Sequence, residues 1–184
     1  IMAAIPPICE FDWLAPDFSL LGVDQKKHTF NSVKGSNGTL IMFICNHCPY
    51  VLAVLDRILR DCNDLIRMGV GVAAISSNDV EAYPEDSFLN MQKLSRENKF
   101  PFPYLYDEDQ SIAKKYDAVC TPDFFGFNSE MGLQYRGRLD ASRKEAGPKD
   151  LRRELYEAMA QVAKTGKGPE DQISSMGCSI KWKE

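Results

Sequence analysis

The sequence predicts an α/β domain with a central mixed sheet flanked by helices. Two observations carry that reading. Residues 40–44 and 70–75 are apolar runs of strand length, and between them Val51, Leu52, Leu55, Ile58, Leu59, Cys62, Leu65 and Ile66 recur at helical spacing. A strand, a helix of roughly twenty residues and a strand form a βαβ unit, with parallel strands and a right-handed crossover. Further on, the phenylalanine-rich residues 124–128 and residues 133–137 flank a turn and predict an antiparallel hairpin.

The first run has no polar residue, as expected of a strand covered on both faces. Pro49 suits the first position of the helix, where its missing N–H costs nothing. Asp56, Arg57, Arg60, Asp61, Asn63, Asp64 and Arg67 take the helix face opposite the apolar stripe, and Met68-Gly69 ends it. Between strand and helix stands Cys45-Asn46-His47-Cys48. A Cys-x-x-Cys at the strand-to-helix turn of a βαβ unit is a thioredoxin-like redox signal. With Pro49 first in the helix, Cys48 falls at the N-cap, facing unpaired N–H groups and the positive end of the helix dipole; both favour the thiolate. Cys48 is therefore expected to attack and Cys45 to resolve, the reverse order being the competing reading. A protonated His47 would stabilise a neighbouring thiolate; a solvated loop histidine is the plain alternative.

The remaining elements follow in order. Residues 1–14 are a proline-broken lead-in to a single domain spanning 1–184. Residues 15–20 are extended, 22–25 turn, and 27–30 return as the partner of an N-terminal hairpin extension. Residues 31–38 form a polar loop. After the second strand, Asp86 or Ser87 caps a helix to about Asn98, with Phe88, Leu89, Met91 and Leu94 facing inward. Residues 104–106 are a third strand, and 107–111 cap a short helix through Tyr116. Gly147-Pro148 opens a last helix with Leu151, Leu155, Ala158, Met159 and Val162 on one face, stopped at 166–169. The tail, 165–184, is too apolar for disorder and is expected to dock on the domain.

Composition narrows the function. The chain has 184 residues, 44% hydrophobic and 26% charged, with a net charge of −4, which argues against the basic face that nucleic acid requires. No apolar run reaches membrane-spanning length. The first seven residues lack a basic segment and are broken by prolines, so no signal peptide is read there and a cytoplasmic location is expected, or a periplasmic one if a signal has been removed. Six cysteines are too few for a disulfide scaffold in a chain this long. Cys9 reads as an idle thiol and Cys62 as core. His28, alternating with apolar neighbours, reads as a surface residue. No cofactor or metal is expected, since a second Cys/His pair is missing. A module using Cys45, His47 and Cys48 as ligands is the alternative from another class.

Several stretches resemble a known family. Ala15-Pro16-Asp17-Phe18-Ser19-Leu20 with Val23-Asp24-Gln25-Lys26 resembles the N-terminal signature of thiol-specific antioxidant proteins, and 102–108 resembles their third-strand segment. Thr121-Pro122 before an apolar strand resembles a cis-proline loop. With the Cys-x-x-Cys and the tail 176–182, the match is to the redoxin (alkyl hydroperoxide reductase/thiol-specific antioxidant) branch of the thioredoxin-like superfamily, and within it to a peroxiredoxin-like family carrying a thioredoxin-type Cys-x-x-Cys. The resemblance covers roughly 15–183. It implies a thioredoxin-like fold and a cis Thr121–Pro122 bond that sets Thr121 and Pro122 beside the cysteines to orient substrate. It also implies a thiol–disulfide oxidoreductase acting on protein or small disulfides with a thiol reductant or oxidant as partner. A thiol peroxidase with Cys48 peroxidatic is the alternative. Against that alternative, Cys45 stands where peroxiredoxins have Thr or Ser, and the supporting arginine is missing from the cis-proline loop; Arg136 and Arg138 are near only in sequence. Cys120 and Cys178 are possible resolving thiols, beside the plainer reading of each as structural.

Overall fold

The computed structural model describes residues 2–184. Its strands are β1 (Ala3–Ala4), β2 (Ser19–Gly22), β3 (Lys27–Thr29), β4 (Gly38–Phe43), β5 (Val70–Ser76), β6 (Tyr104–Tyr106), β7 (Cys120–Thr121), β8 (Asp123–Phe127), β9 (Leu133–Tyr135) and β10 (Gly177–Ser179). Its helices are α1 (Phe30–Val33), α2 (Pro49–Leu52), α3 (Leu55–Arg67), α4 (Phe88–Glu97), α5 (Ser111–Tyr116) and α6 (Glu154–Thr165). Seven strands form one mixed sheet in the order β3-β2-β6-β5-β4-β8-β9, and β1-β10-β7 form a small second sheet. This is a thioredoxin-like arrangement.

Strand β4 is the centre. It runs parallel to β5, with Gly38 opposite Val70 and Phe43 opposite Ile75, and antiparallel to β8, with Met42 opposite Phe124. The apolar run reads as a strand because alternate side chains enter two cores. Leu40 and Met42 join one core with Ile58, Cys62, Leu65, Leu155 and Met159, beneath α3 and α6. Ile41 and Phe43 join the other with Phe125, Phe127, Ile112 and Tyr116, beneath α5.

Four local expectations are corrected. The helix after Pro49 is broken at Ala53-Val54: the Val54 N–H bonds the Val51 carbonyl at 3.1 Å, and Val54 adopts φ −122°, so the regular i to i−4 ladder restarts only in α3. Leu52, just before the break, is exposed. Arg57 and Asp61 are buried rather than solvated, because residues 139–165 cover that face. Arg57 donates to Asp140 (3.1 Å), Ser142 and the Gly147 carbonyl, and Arg153 reaches Asp61 at 2.6 Å. Those same contacts hold residues 140–153 in an irregular path, so the last helix starts at Glu154 and not at Gly147-Pro148. Finally, Leu89 faces solvent, while Met91 is fully buried and Phe88 and Leu94 are partly so; Ser87, accepting from the Asn90 N–H, is the cap that sets this phase.

Two smaller differences lie near the termini. Phe30 opens α1 instead of prolonging the hairpin, because Thr29 and Ser32 form a capping box there. The lead-in is strapped down by backbone bonds from Asp12 N–H to the Leu133 carbonyl and from Leu133 N–H to the Trp13 carbonyl. His28 is half-buried and sits 2.9 Å from Asp24. Among the described residues, no helix is long and apolar enough to cross a membrane.

Arg136 is buried just past the end of β9, donating to Asp123 at the start of β8 at 3.1 Å and to the Asp117 carbonyl at 2.8 Å, 4.4 Å above the Phe125 ring. Removing one partner of a buried ion pair strands the other. Arg136→Ala is expected to lower the unfolding free energy by about 3–5 kcal/mol, measured by urea denaturation. The ionisation of the site thiols should stay unchanged.

Candidate active site

The site lies where β4 ends. Ile44 N–H still bonds the Ile75 carbonyl at 3.0 Å, and Cys45 is the next residue out. The chain then turns through Asn46 and His47 into Cys48, which is the N-cap of α2 with Pro49 at the first helical position. The turn is held from beneath by Asp86, a fully buried carboxylate in the loop before α4. Its oxygens accept the Asn46 N–H at 2.8 Å and the Asn78 amide at 2.9 Å, and His47 Nδ1 stands 2.9 Å away. Tyr104 on β6 adds a hydrogen bond to the Asn46 side chain at 2.8 Å.

Two further segments close on the sulfurs. The Thr121–Pro122 bond is cis. Thr121 presents its carbonyl 3.1 Å from Cys48 Sγ and its hydroxyl 3.6 Å from Cys45 Sγ. Strand β10 pairs with β7, Cys178 opposite Thr121, and Cys178 Sγ lies 2.9 Å from Cys48 Sγ. On its other edge β10 pairs with β1, Ala3 opposite Cys178. A cleft of about 470 Å³ opens on this point, lined by Cys45, His47, Cys48, Tyr83, Cys178 and Lys181 among others. All three sulfurs are nearly covered, with exposures of 1%, 1% and 5% for Cys45, Cys48 and Cys178.

The surroundings of the three thiols differ. The Cys45 thiol donates to Cys48, and the Cys178 thiol, the Thr121 hydroxyl and the Cys178 N–H add to this. Together they outweigh burial and push Cys48 down to about 5. Cys45 is driven strongly upward: its proton is held between the two sulfurs, it is buried, and the Asp86 carboxylate is close. Cys178 is pushed up to about 12 by burial and by its contact with Cys48, with Lys181 acting in the opposite sense.

The reason for the low Cys48 value is not the expected one. Its side chain makes no capping bond to the helix N–H groups. The Tyr50 N–H meets Cys178 Sγ instead. The pairing of β10 with β7 brings a sulfur distant in sequence to 2.9 Å from Cys48 Sγ, and neighbouring thiols lower the Cys48 pKa.

His47 is half-exposed, with Nδ1 2.9 Å from Asp86 and its ring stacked on Tyr83 at 5.9 Å. Cys45 Sγ, a His47 ring nitrogen and an Asp86 oxygen lie within 4.8 Å of one another. Cys120 is fully buried, with its thiol against the Pro122 carbonyl at 3.5 Å; burial raises its pKa. Cys62 is enclosed in the core, and burial raises it too. Cys9, half-buried, is pushed up to about 11 by burial. Arg138 is bound to Glu154 at 2.9 Å, and with Arg136 committed to Asp123 neither of these guanidiniums serves the thiols. The sequence reading missed Asp86 as the floor of the site, since an aspartate before Ser87 reads as a helix cap.

A dithiol at the end of the central strand of this fold defines a thioredoxin-like redox protein. Residues 13–138 match the model of the AhpC/TSA family, and the chain belongs to that family. It is similar over its whole length to a solved uncharacterised conserved protein from Geobacillus kaustophilus, at 44% identity, 97% of that chain and a TM-score of 0.93. A hypothetical protein from Sinorhizobium meliloti 1021 shares 35% identity over 97% of each chain, with a TM-score of 0.91. A secreted disulfide oxidoreductase of Mycobacterium tuberculosis shares the fold at 16% identity, covering 78% of this chain and 94% of that one, with a TM-score of 0.59. Among curated proteins, none matches. Family and fold support a thioredoxin-like redox function.

The depressed Cys48 value has a direct reading. The thiolate is the form present above the pKa, so ultraviolet thiolate absorbance of the reduced protein should rise by one sulfur per chain as pH increases through about 5. Free cysteine would show this step near ~8.5. Cys48→Ser should abolish it.

Proposed function

We propose that this protein is a thiol–disulfide oxidoreductase whose Cys45–Cys48 pair cycles between dithiol and disulfide. The observation that carries the reading is the placing of Cys45 and Cys48 together at the end of β4, the Thr121 hydroxyl 3.6 Å from Cys45 Sγ and the Thr121 carbonyl 3.1 Å from Cys48 Sγ, on the lining of one cleft. In the reducing direction the Cys48 thiolate attacks a substrate disulfide, forming a mixed disulfide and releasing one substrate thiolate. Cys45 then attacks Cys48 Sγ, closing Cys45–Cys48 and releasing the second substrate thiolate. Each step exchanges one S–S bond for another, and the pair of electrons ends on substrate. The reverse sequence oxidises a dithiol. Thr121, followed by Pro122, stands beside both sulfurs and orients substrate. Partners are disulfide-bearing proteins or small thiols and a thiol reductant or oxidant, in a cytoplasmic setting.

Peroxidase chemistry is the weaker reading. Cleaving the O–O bond needs donors aimed at the peroxide oxygens. The Thr121 hydroxyl faces Cys45, and Arg136 and Arg138 are bound to carboxylates. A metal-binding module has one observation in its favour, the cluster of Cys45, His47 and Asp86. Yet both Asp86 oxygens already accept hydrogen bonds that hold the turn, and a cation would have to displace them.

A double variant, Cys45→Ser with Cys178→Ser, leaves Cys48 as the one sulfur at the site. It should form a stable mixed disulfide with oxidised glutathione, read by mass. Cys48→Ser should form none; trapping by Cys48→Ser instead would assign the attack to Cys45. Peroxide consumption by the wild-type protein should fall well below the ~10⁶ M⁻¹s⁻¹ of efficient enzymes, measured by competition kinetics. Metal analysis of the purified chain showing stoichiometric zinc would favour the ligand reading.

A further inference from the structure

We propose that Cys178 is a second resolving thiol, so that Cys48 exchanges between two disulfides, Cys45–Cys48 and Cys48–Cys178; this rests on the oxidoreductase reading above. The two sulfurs stand 2.9 Å apart, and a disulfide needs about 2.05 Å, a closure within the reach of side-chain rotation. Position is fixed from both sides. Cys48 is held at the head of α2, and Cys178 is centred in β10, registered against Thr121 on one edge and Ala3 on the other. Thiols so held react as an intramolecular pair, with their encounter already made.

The tail also occupies a particular place. An extended peptide can add as a strand to a sheet edge that is open. The edge beside Cys48 belongs to β7, and β10 is the strand hydrogen-bonded to it. The tail thus lies as a bound peptide would and carries its own sulfur to Cys48, with Ser175 anchoring the approach by a hydrogen bond to the Pro122 carbonyl at 2.7 Å.

The chemistry balances. Cys48 thiolate attacks R–S–S–R′, giving Cys48–S–S–R and R′–S⁻. Formation of that bond discharges Cys48, and with it the neighbouring negative charge that opposes ionisation of Cys178. Lys181, whose ammonium is anchored on the Ser179 carbonyl at 2.7 Å, then favours the Cys178 thiolate. This thiolate attacks Cys48 Sγ, forming Cys48–Cys178 and releasing R–S⁻, which takes up the proton Cys178 has lost. Two protein thiols are oxidised and one substrate disulfide is reduced. Attack of Cys45 on Cys48 Sγ afterwards moves the bond to Cys45–Cys48 and frees Cys178, with no net redox change. In the intermediate state the tail is covalently tied to α2.

The test uses the full chain treated with oxidised glutathione under native conditions, quenched in acid, alkylated and mapped by mass. Cys45→Ser should lose its glutathione adduct with time and yield the cross-linked Cys48–Cys178 peptides. Adding Cys178→Ser should make the adduct persist. Wild type should show both disulfides, and Cys178→Ser alone should still close Cys45–Cys48. A persistent adduct on Cys45→Ser with Cys178 free overturns the proposal while leaving the oxidoreductase reading intact. Failure of Cys178→Ser to close Cys45–Cys48 would instead overturn that reading.

Discussion

The thiol site hangs from one strand that has no freedom to move. All six residues of β4 are buried, its backbone is hydrogen-bonded along both edges, and its side chains alternate into two cores. Strain in any of these directions is transmitted to packed neighbours, because interiors of this density do not yield. Cys45, one residue beyond the strand's last bonded N–H, inherits that fixity. The turn after it is held by hydrogen bonds to Asp86 and Tyr104 rather than by packing alone. A sulfur on such a support is placed without further entropic cost when a substrate arrives.

What the sequence disclosed and what it concealed divide by distance along the chain. The strands around the central crossover are legible because their hydrophobic periods are local. So is the place of the two cysteines between a buried strand and a proline-led turn, and so is the cis bond at Thr121–Pro122. The buried faces of Arg57 and Asp61 and the late start of α6 have one common origin. Each depends on residues 139–165 folding back over α3, which no periodicity in 49–68 encodes. Periodicity assigns Arg57 to a polar face; the fold makes that face an interior one and satisfies the guanidinium with Asp140 and two further acceptors.

The same rule explains the site's chemistry. Spacing alone places Cys48 at a helix start and credits its acidity to the helix. The structure keeps the place and changes the cause: the donors around the sulfur are Cys45, Cys178 and Thr121, from three separate segments. Asp86 then breaks the symmetry of the pair. A carboxylate near Cys45 disfavours a second negative charge there. Charge therefore settles on Cys48 and the proton on Cys45.

The Thr121 carbonyl works against this arrangement. At 3.1 Å it accepts a hydrogen bond from the Cys48 thiol but faces a thiolate unfavourably. Its backbone neighbour is the tail, paired through Cys178. A peptide substrate entering along β7 would have to displace β10, whereas a small disulfide need only reach the cleft beside Lys181 and Tyr83. Size of substrate and motion of the tail are thus linked by one hydrogen-bonded edge. With the tail lifted, Cys48 loses the Cys178 thiol and N–H donors, and its thiolate becomes less stable and more basic. Intrinsic nucleophilicity rises with that basicity while the thiolate fraction falls, so a lifted tail trades one determinant of exchange rate against the other.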